Sequence, residues 1–225
     1  MQFVMSELSA PERYKLLVSS VTPRPIAWVT TKSADGVVNA APYSFFNAFG
    51  DSPPLLVLGL LHGPEGQDKD TATHIKATGE FVVNLVSEGD IEKMNLSCAS
   101  VPREFSEVDY AGIDTAPATM VAPPLIASAP VSFECRLMEA LDIGTRQSVV
   151  IGEVLVTHVQ DAFVSDPEKL YLDTPAMHLV GRIHGRGNYV RVTDTFEVPR
   201  PQYDPTRMEQ RLAEKERAQA EQRES

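Results

Sequence analysis

Lys69-Asp70-Thr71 sets a cation, a carboxylate and a hydroxyl on consecutive residues. They head a segment whose composition predicts a helix ending near Gly79. The first turn of a helix leaves main-chain N–H groups unpaired and carries the positive end of the helix dipole, so it suits an anion. Lys69 would add a point charge and Thr71 a hydroxyl donor. Asp70 reads as a cap, with Thr71 the other capping option, since a carboxylate repels a phosphate. On the residues alone, an ordinary capped surface helix is the simpler reading.

A second group lies upstream, between Thr22 and Pro54. Arg24 stands between Pro23 and Pro25, which restrict its backbone, and offers a cation for a phosphate or a polar ring edge. Trp28 and Thr30 share one face of a predicted strand and Thr31 takes the other, so only one threonine can point at a given ligand. Thr30 is the expected one. Trp28 could wall a ring, although a lone strand tryptophan is more often core. From Asn39 to Asn47 the chain offers polar side chains at Asn39, Ser44 and Asn47. Pro42 is expected to stop the ladder, freeing the backbone of Tyr43 to Asn47 to bond outward. At least one of Phe45 and Phe46 reads as core. The two groups together suggest a pocket for a flat, phosphorylated ring system.

The elements that must position them are mostly strands. Ser9-Ala10-Pro11-Glu12 has capping-box spacing and predicts a short helix through about Val18. Pro25 to Thr31 and Val37 to Ala41 flank the turn Ala34-Asp35-Gly36 as a hairpin. Pro54 to Leu61 is a continuous apolar run, expected to be a strand buried on both faces. Glu80 to Val86 is another strand and Asp90 to Ser97 a short helix. Ser106 to Pro130, rich in Pro, Ala and Thr, reads as a long surface excursion. Val131 to Ala140 and Ser148 to Val159 pair as strands. Leu179 to Val192 is expected as a strand interrupted by glycines. About seven strands with few helices predict a mainly β, barrel-like fold over residues 1–203. Residues 204–225 are almost all Glu, Gln, Arg, Lys and Ala, a solvated helix or tail.

Composition narrows the function. The chain has 225 residues, 43% hydrophobic and 23% charged, with a formal net charge of -11. Such acidity disfavours nucleic acid and anionic membranes as partners. Cys98 and Cys135 are far apart and outside any CxxC pair, which predicts free thiols and no zinc site. The five histidines show no metal spacing. No secretory pattern or membrane-length apolar run is evident, so the expected location is cytoplasmic. Dinucleotide and Walker fingerprints are absent, as are a nucleophile elbow and a catalytic triad.

The run PRPIAWVTT, then N-A-A-P-Y-S-F-F-N and a Pro pair, then Lys69-Asp70-Thr71 and Gly79-Glu80-Phe81-Val82-Val83-Asn84-Leu85, resembles the flavin reductase-like, FMN-binding split-barrel family. That family includes the reductase components of nitrilotriacetate-type monooxygenases and the flavoredoxins. The resemblance runs from about Tyr14 to Pro201 and is looser after Gly181. It implies a mostly antiparallel, Greek-key-like split barrel with short flanking helices. It further implies FMN as cofactor, with the phosphate at Lys69 and Thr71 and the ring lined by Ala41, Ser44, Phe45 and Asn47. The implied activity is an NAD(P)H:flavin oxidoreductase, with NADH or NADPH as co-substrate and a monooxygenase component or other acceptor as partner. An electron carrier of the flavoredoxin kind and an FMN-binding module without turnover are the alternatives. A homodimer is implied, with contact through Pro53 to Leu61 or the 106–130 excursion. Direct hydride transfer needs no catalytic side chain. His184 and Arg186 are candidate nicotinamide contacts, with a solvated loop histidine as the plain reading of His184.

Overall fold

The computed structural model describes residues 1–63, 65–185 and 187–224. Residues 1–194 form one compact unit and residues from 195 a second. In chain order the first unit holds α1 (Ala10–Ser20), β1 (Ala27–Lys32), β2 (Val38–Tyr43), β3 (Phe46–Asp51) and β4 (Pro54–Leu61). There follow α2 (Asp70–Thr78), β5 (Glu80–Leu85), α3 (Ile91–Leu96), α4 (Glu107–Tyr110), β6 (Thr115–Ala116) and β7 (Leu125–Ile126). The long hairpin β8 (Val131–Ile143) and β9 (Gln147–Val159) comes next, then β10 (Val164–Asp166), β11 (Tyr171–Leu172), β12 (Val180–Arg182) and β13 (Tyr189–Arg191). The second unit carries α5 (Pro205–Glu224).

Seven strands make one antiparallel sheet in the order β2-β1-β5-β8-β9-β4-β3. The alternation of strand side chains splits its packing into two clusters. Ile26 and Trp28 point to one, with Ala40, Val86, Met94, Ile113, Ile126 and Val180. Ala27 and Val29 point to the other, with Leu56, Leu58, Leu60, Ile75, Phe81 and Val150. Each fully covered Leu or Phe here contributes about 1.5–3 kcal/mol relative to exposure.

Local signals explain the helices that flank the sheet. Glu12 reaches back over the start of α1, where the Ser9 N–H and hydroxyl donate to its Oε2 at 2.8 and 2.6 Å. Gly79 ends α2 in the left-handed region at φ 74°, and its N–H donates to the Ile75 carbonyl at 2.9 Å. Gly36 turns the first hairpin at φ 92°.

Four expectations are corrected. Pro42 does not stop the ladder: it lies inside β2, opposite Trp28. As β2 is a sheet edge, the missing N–H faces outward and no bond is lost. Only one face of β4 is buried, at Leu56, Leu58 and Leu60. The other face is partly covered, and Gly59 there sits against Phe45: a Cβ at 59 would fall 2.9 Å from the Phe45 Cβ. The 106–130 segment is more than a surface excursion, since Val108, Ala111, Ile113, Leu125, Ile126 and Ala129 are buried. Its middle is pinned by the fully buried Glu134 carboxylate, which accepts N–H bonds from Thr119, Met120 and Val121 at 2.7, 2.6 and 3.1 Å. Last, residues 179–192 form the hairpin β12–β13, with Arg182 stacked on Tyr189 at 4.7 Å, instead of one broken strand.

Candidate functional site

The amino end of α2 opens into a cleft of about 490 Å³. Lys69 is the N-cap, in extended conformation at φ -78° and ψ 165°, and supplies no side-chain cap. The expected cap by Asp70 or Thr71 is corrected, because both already lie in the first turn. The N–H groups of Asp70, Thr71 and Ala72 therefore have no partner within the helix, while the Thr73 N–H closes onto the Lys69 carbonyl at 3.0 Å. Asp70 pairs with Arg103 Nε at 2.9 Å, which neutralises the carboxylate nearest those amides.

The loop before α2 is braced from the far side. The Gly63 N–H donates to the Gln67 carbonyl at 2.8 Å. Lys76 Nζ donates to Asp68 at 2.8 Å and to Asp142, at the tip of the β8–β9 hairpin, at 2.7 Å. His62 Nε2 lies 2.8 Å from Ser148 Oγ and 3.3 Å from Asp68. His62, Asp68 and Asp142 form a possible ligand triad by spacing, but Lys76 already serves as its cation.

Beneath the cleft a buried polar row links α2 to the first hairpin. Asn39 Nδ2 donates to Thr71 Oγ1 at 2.8 Å and to Thr31 Oγ1 at 3.3 Å. Thr31 Oγ1 also lies 3.0 Å from His74 Nδ1. Burial pushes the His74 pKa down, so the ring stays neutral at pH 7. Thr71 accepts from Asn39 and keeps its own proton to donate. Tyr43 faces Thr71, and burial pushes its hydroxyl up to about 12, so it is a neutral donor at any physiological pH.

Of the residues expected at the site, Asn39, Ala41, Lys69, Asp70 and Thr71 line this cleft. Thr31 touches it through Asn39. The rest lie elsewhere. Thr30 turns away, donating to the Pro124 carbonyl at 2.6 Å, so Thr31 and not Thr30 is the threonine on the cleft side. Trp28 is fully buried core, with Nε1 donating to Ser97 Oγ at 3.0 Å. Arg24 is buried and donates to the Val18, Val21 and Ile183 carbonyls, tying the end of α1 to the segment after β12. Ser44 accepts from Arg24 Nε at 3.4 Å. Phe45 supports α1 through an edge-on contact with Tyr14, ring centres 6.0 Å apart. Asn47 is exposed and bonds the Ala48 N–H at 2.8 Å. His184 is exposed in the β12–β13 turn, and Arg186 lies outside the described residues.

Several lining residues carried no readable signal. Tyr43, the strap from Ser97 to Arg103, and Glu107 close the cleft opposite α2. No spacing in the sequence ties residues 97–107 to Lys69; only the fold brings them together. The strap has a second side, where Val101 and Pro102 also wall an apolar cleft of about 780 Å³ with Val37, Val38, Phe105 and Tyr110.

The family model for the flavin reductase like domain matches residues 18–181. A Deinococcus radiodurans protein is 42% identical over 205 residues, covering 89% of this chain and 90% of its own. Among solved structures, a Pseudomonas fluorescens 2-nitrobenzoate 2-nitroreductase is 36% identical with a TM-score of 0.82, covering 91% of this chain and 98% of that one. Nitrilotriacetate monooxygenase component B from Bacillus cereus is 30% identical with a TM-score of 0.83, covering 88% and 98%.

Proposed function

The chain belongs to the flavin reductase-like family, and from that premise we propose that it holds FMN at the head of α2 and oxidises NADH or NADPH. Reduced flavin then passes to a monooxygenase component or another acceptor. One observation carries the reading: free α2 amides, Lys69 and Thr71 converge on one wall of a cleft whose other wall is the edge of β2. That donor set fits a phosphate. The cleft volume is within the range of small-molecule sites.

When bound, the flavin supplies the ring that takes up hydride. The residues around it bind and orient. Lys69 and the first-turn amides hold the phosphate, and Thr71, fixed by Asn39, donates its proton there. Ala41, Pro42 and Tyr43 form the wall along β2. No side chain need move a proton for hydride transfer. A homodimer belongs to the same reading. The exposed Phe49 of β3 with Tyr14 and Leu17 of α1 offers apolar surface for it, whereas Leu56, Leu58 and Leu60 of β4 are already used by the core.

The visible absorption spectrum of the purified protein, followed by addition of FMN and then NADH or NADPH, tests the proposal. Rapid nicotinamide oxidation that depends on FMN is expected. Flavin retained through purification without nicotinamide oxidation would favour the electron carrier. Absence of flavin binding would end the reading. The likeness to the nitroreductase adds a nitroaromatic to the acceptors worth assaying.

A further inference from the structure

Among the described residues, Glu107 is the buried carboxylate lining the α2 cleft that no cation pairs with. It is 7% exposed, yet its side chain faces the cavity beside Asp70 and Tyr43. Among the described residues it forms no ion pair and no side-chain hydrogen bond. Only the main-chain N–H groups of Ala40 and of Glu107 itself face it. Asp70, by contrast, is matched by Arg103 at 2.9 Å. A carboxylate has room for about four hydrogen bonds, so with two main-chain donors facing it Glu107 keeps acceptor capacity open toward the cleft. The fold keeps Glu107 covered: α4 packs on β2, and Ser106 anchors the junction by donating to the Val38 carbonyl at 2.7 Å.

We infer that Glu107 is a specificity residue that accepts hydrogen bonds from the polyol hydroxyls of the bound flavin, those adjoining its phosphate. This rests on the reading of the cleft as an FMN site. The position argues for hydroxyls and against the phosphate itself. A carboxylate beside Asp70 repels a second anion, while a hydroxylated chain leaving the head of α2 brings neutral donors to it. Acidic side chains take nucleotide ribose hydroxyls in the same way.

The test is a ligand series titrated by fluorescence against the wild-type chain, Glu107→Gln and Glu107→Asp. FMN carries ring, polyol and phosphate; riboflavin lacks the phosphate; lumiflavin lacks both. Glu107→Gln should weaken FMN and riboflavin by the same factor, on the order of ten-fold, as for loss of a hydrogen bond to a charged group. Lumiflavin affinity should not change. Glu107→Asp, which keeps the charge on a shorter arm, should fall between. Unchanged FMN affinity in Glu107→Gln would overturn the inference. So would equal weakening of all three ligands, the mark of a distorted cleft, or tighter FMN with riboflavin unaltered, the mark of simple repulsion. If the wild-type chain binds none of the three, the FMN reading itself fails. If it binds FMN and the variants match it, only the role of Glu107 does.

Discussion

Lys69 and Glu107 show how differently two residues of one cleft can be read. Lys69 announces itself, being next to a hydroxyl at the start of a periodic helix. Replacing it with Ala should cost about 1.5–3 kcal/mol of FMN binding, the range for a charged hydrogen bond. Riboflavin, without the phosphate, should bind the variant as well as wild type, and parallel titrations of the two ligands check this. Glu107 gives no such sign, because an acidic residue in an acidic chain reads as solvated surface until the fold covers it. Trp28 and Arg24 err the other way. Both carry chemistry-bearing groups, but Trp28 spends its ring on the core and its N–H on the Ser97 hydroxyl, and Arg24 spends its guanidinium on main-chain carbonyls.

Elements were legible where local chemistry fixes them. Gly36, Gly79 and the Ser9–Glu12 pair marked turns and ends that the fold keeps. Pro42 misled, since whether a proline breaks a ladder depends on which side of the strand is free, and strand order is a non-local property. Gly152 of β9 marks another such constraint, where an added methyl would collide with the Phe81 ring. Gly152→Ala should lose about 1–3 kcal/mol from overpacking, measured by urea unfolding. The Glu134 clamp makes an acid-sensitive element. Burial alone would raise its pKa, but the Thr119 and Met120 N–H groups and His158 outweigh that and hold it below the usual carboxylate value. A depressed folded pKa stabilises above the unfolded value of 4.5, and the gain is lost as pH falls through the folded one. Glu134→Gln should therefore be less stable at pH 7 and show a flatter acid limb below about pH 4.5, followed by circular dichroism.

For the whole molecule, the mainly β class and six of the seven main-sheet strands followed from alternation and turn spacing. β3 was missed because Phe46 to Asp51 follows a stretch that reads as a turn, and the expected 179–192 strand pairs outside the sheet. The burial of the 106–130 segment did not follow either. Its Pro and Thr content resembles a loop, and only the sheet decides that Ile113 and Ile126 become core. Net charge is legible from composition and has a kinetic consequence. At -11, the chain repels a dianionic nucleotide over distance while Lys69 attracts it at contact. Added salt should then raise the FMN association rate by screening the long-range field, and stopped-flow quenching at rising ionic strength reads it.

Val101 and Pro102 stand between two cavities as a single partition. A guest lodged in the apolar cleft would lean on the same pair of residues that lines the α2 cleft. Linkage is then reciprocal: whatever displaces the partition from one side alters affinity on the other by an equal factor. Val101 and Pro102, which line both clefts, are thus the residues whose displacement would alter the two together.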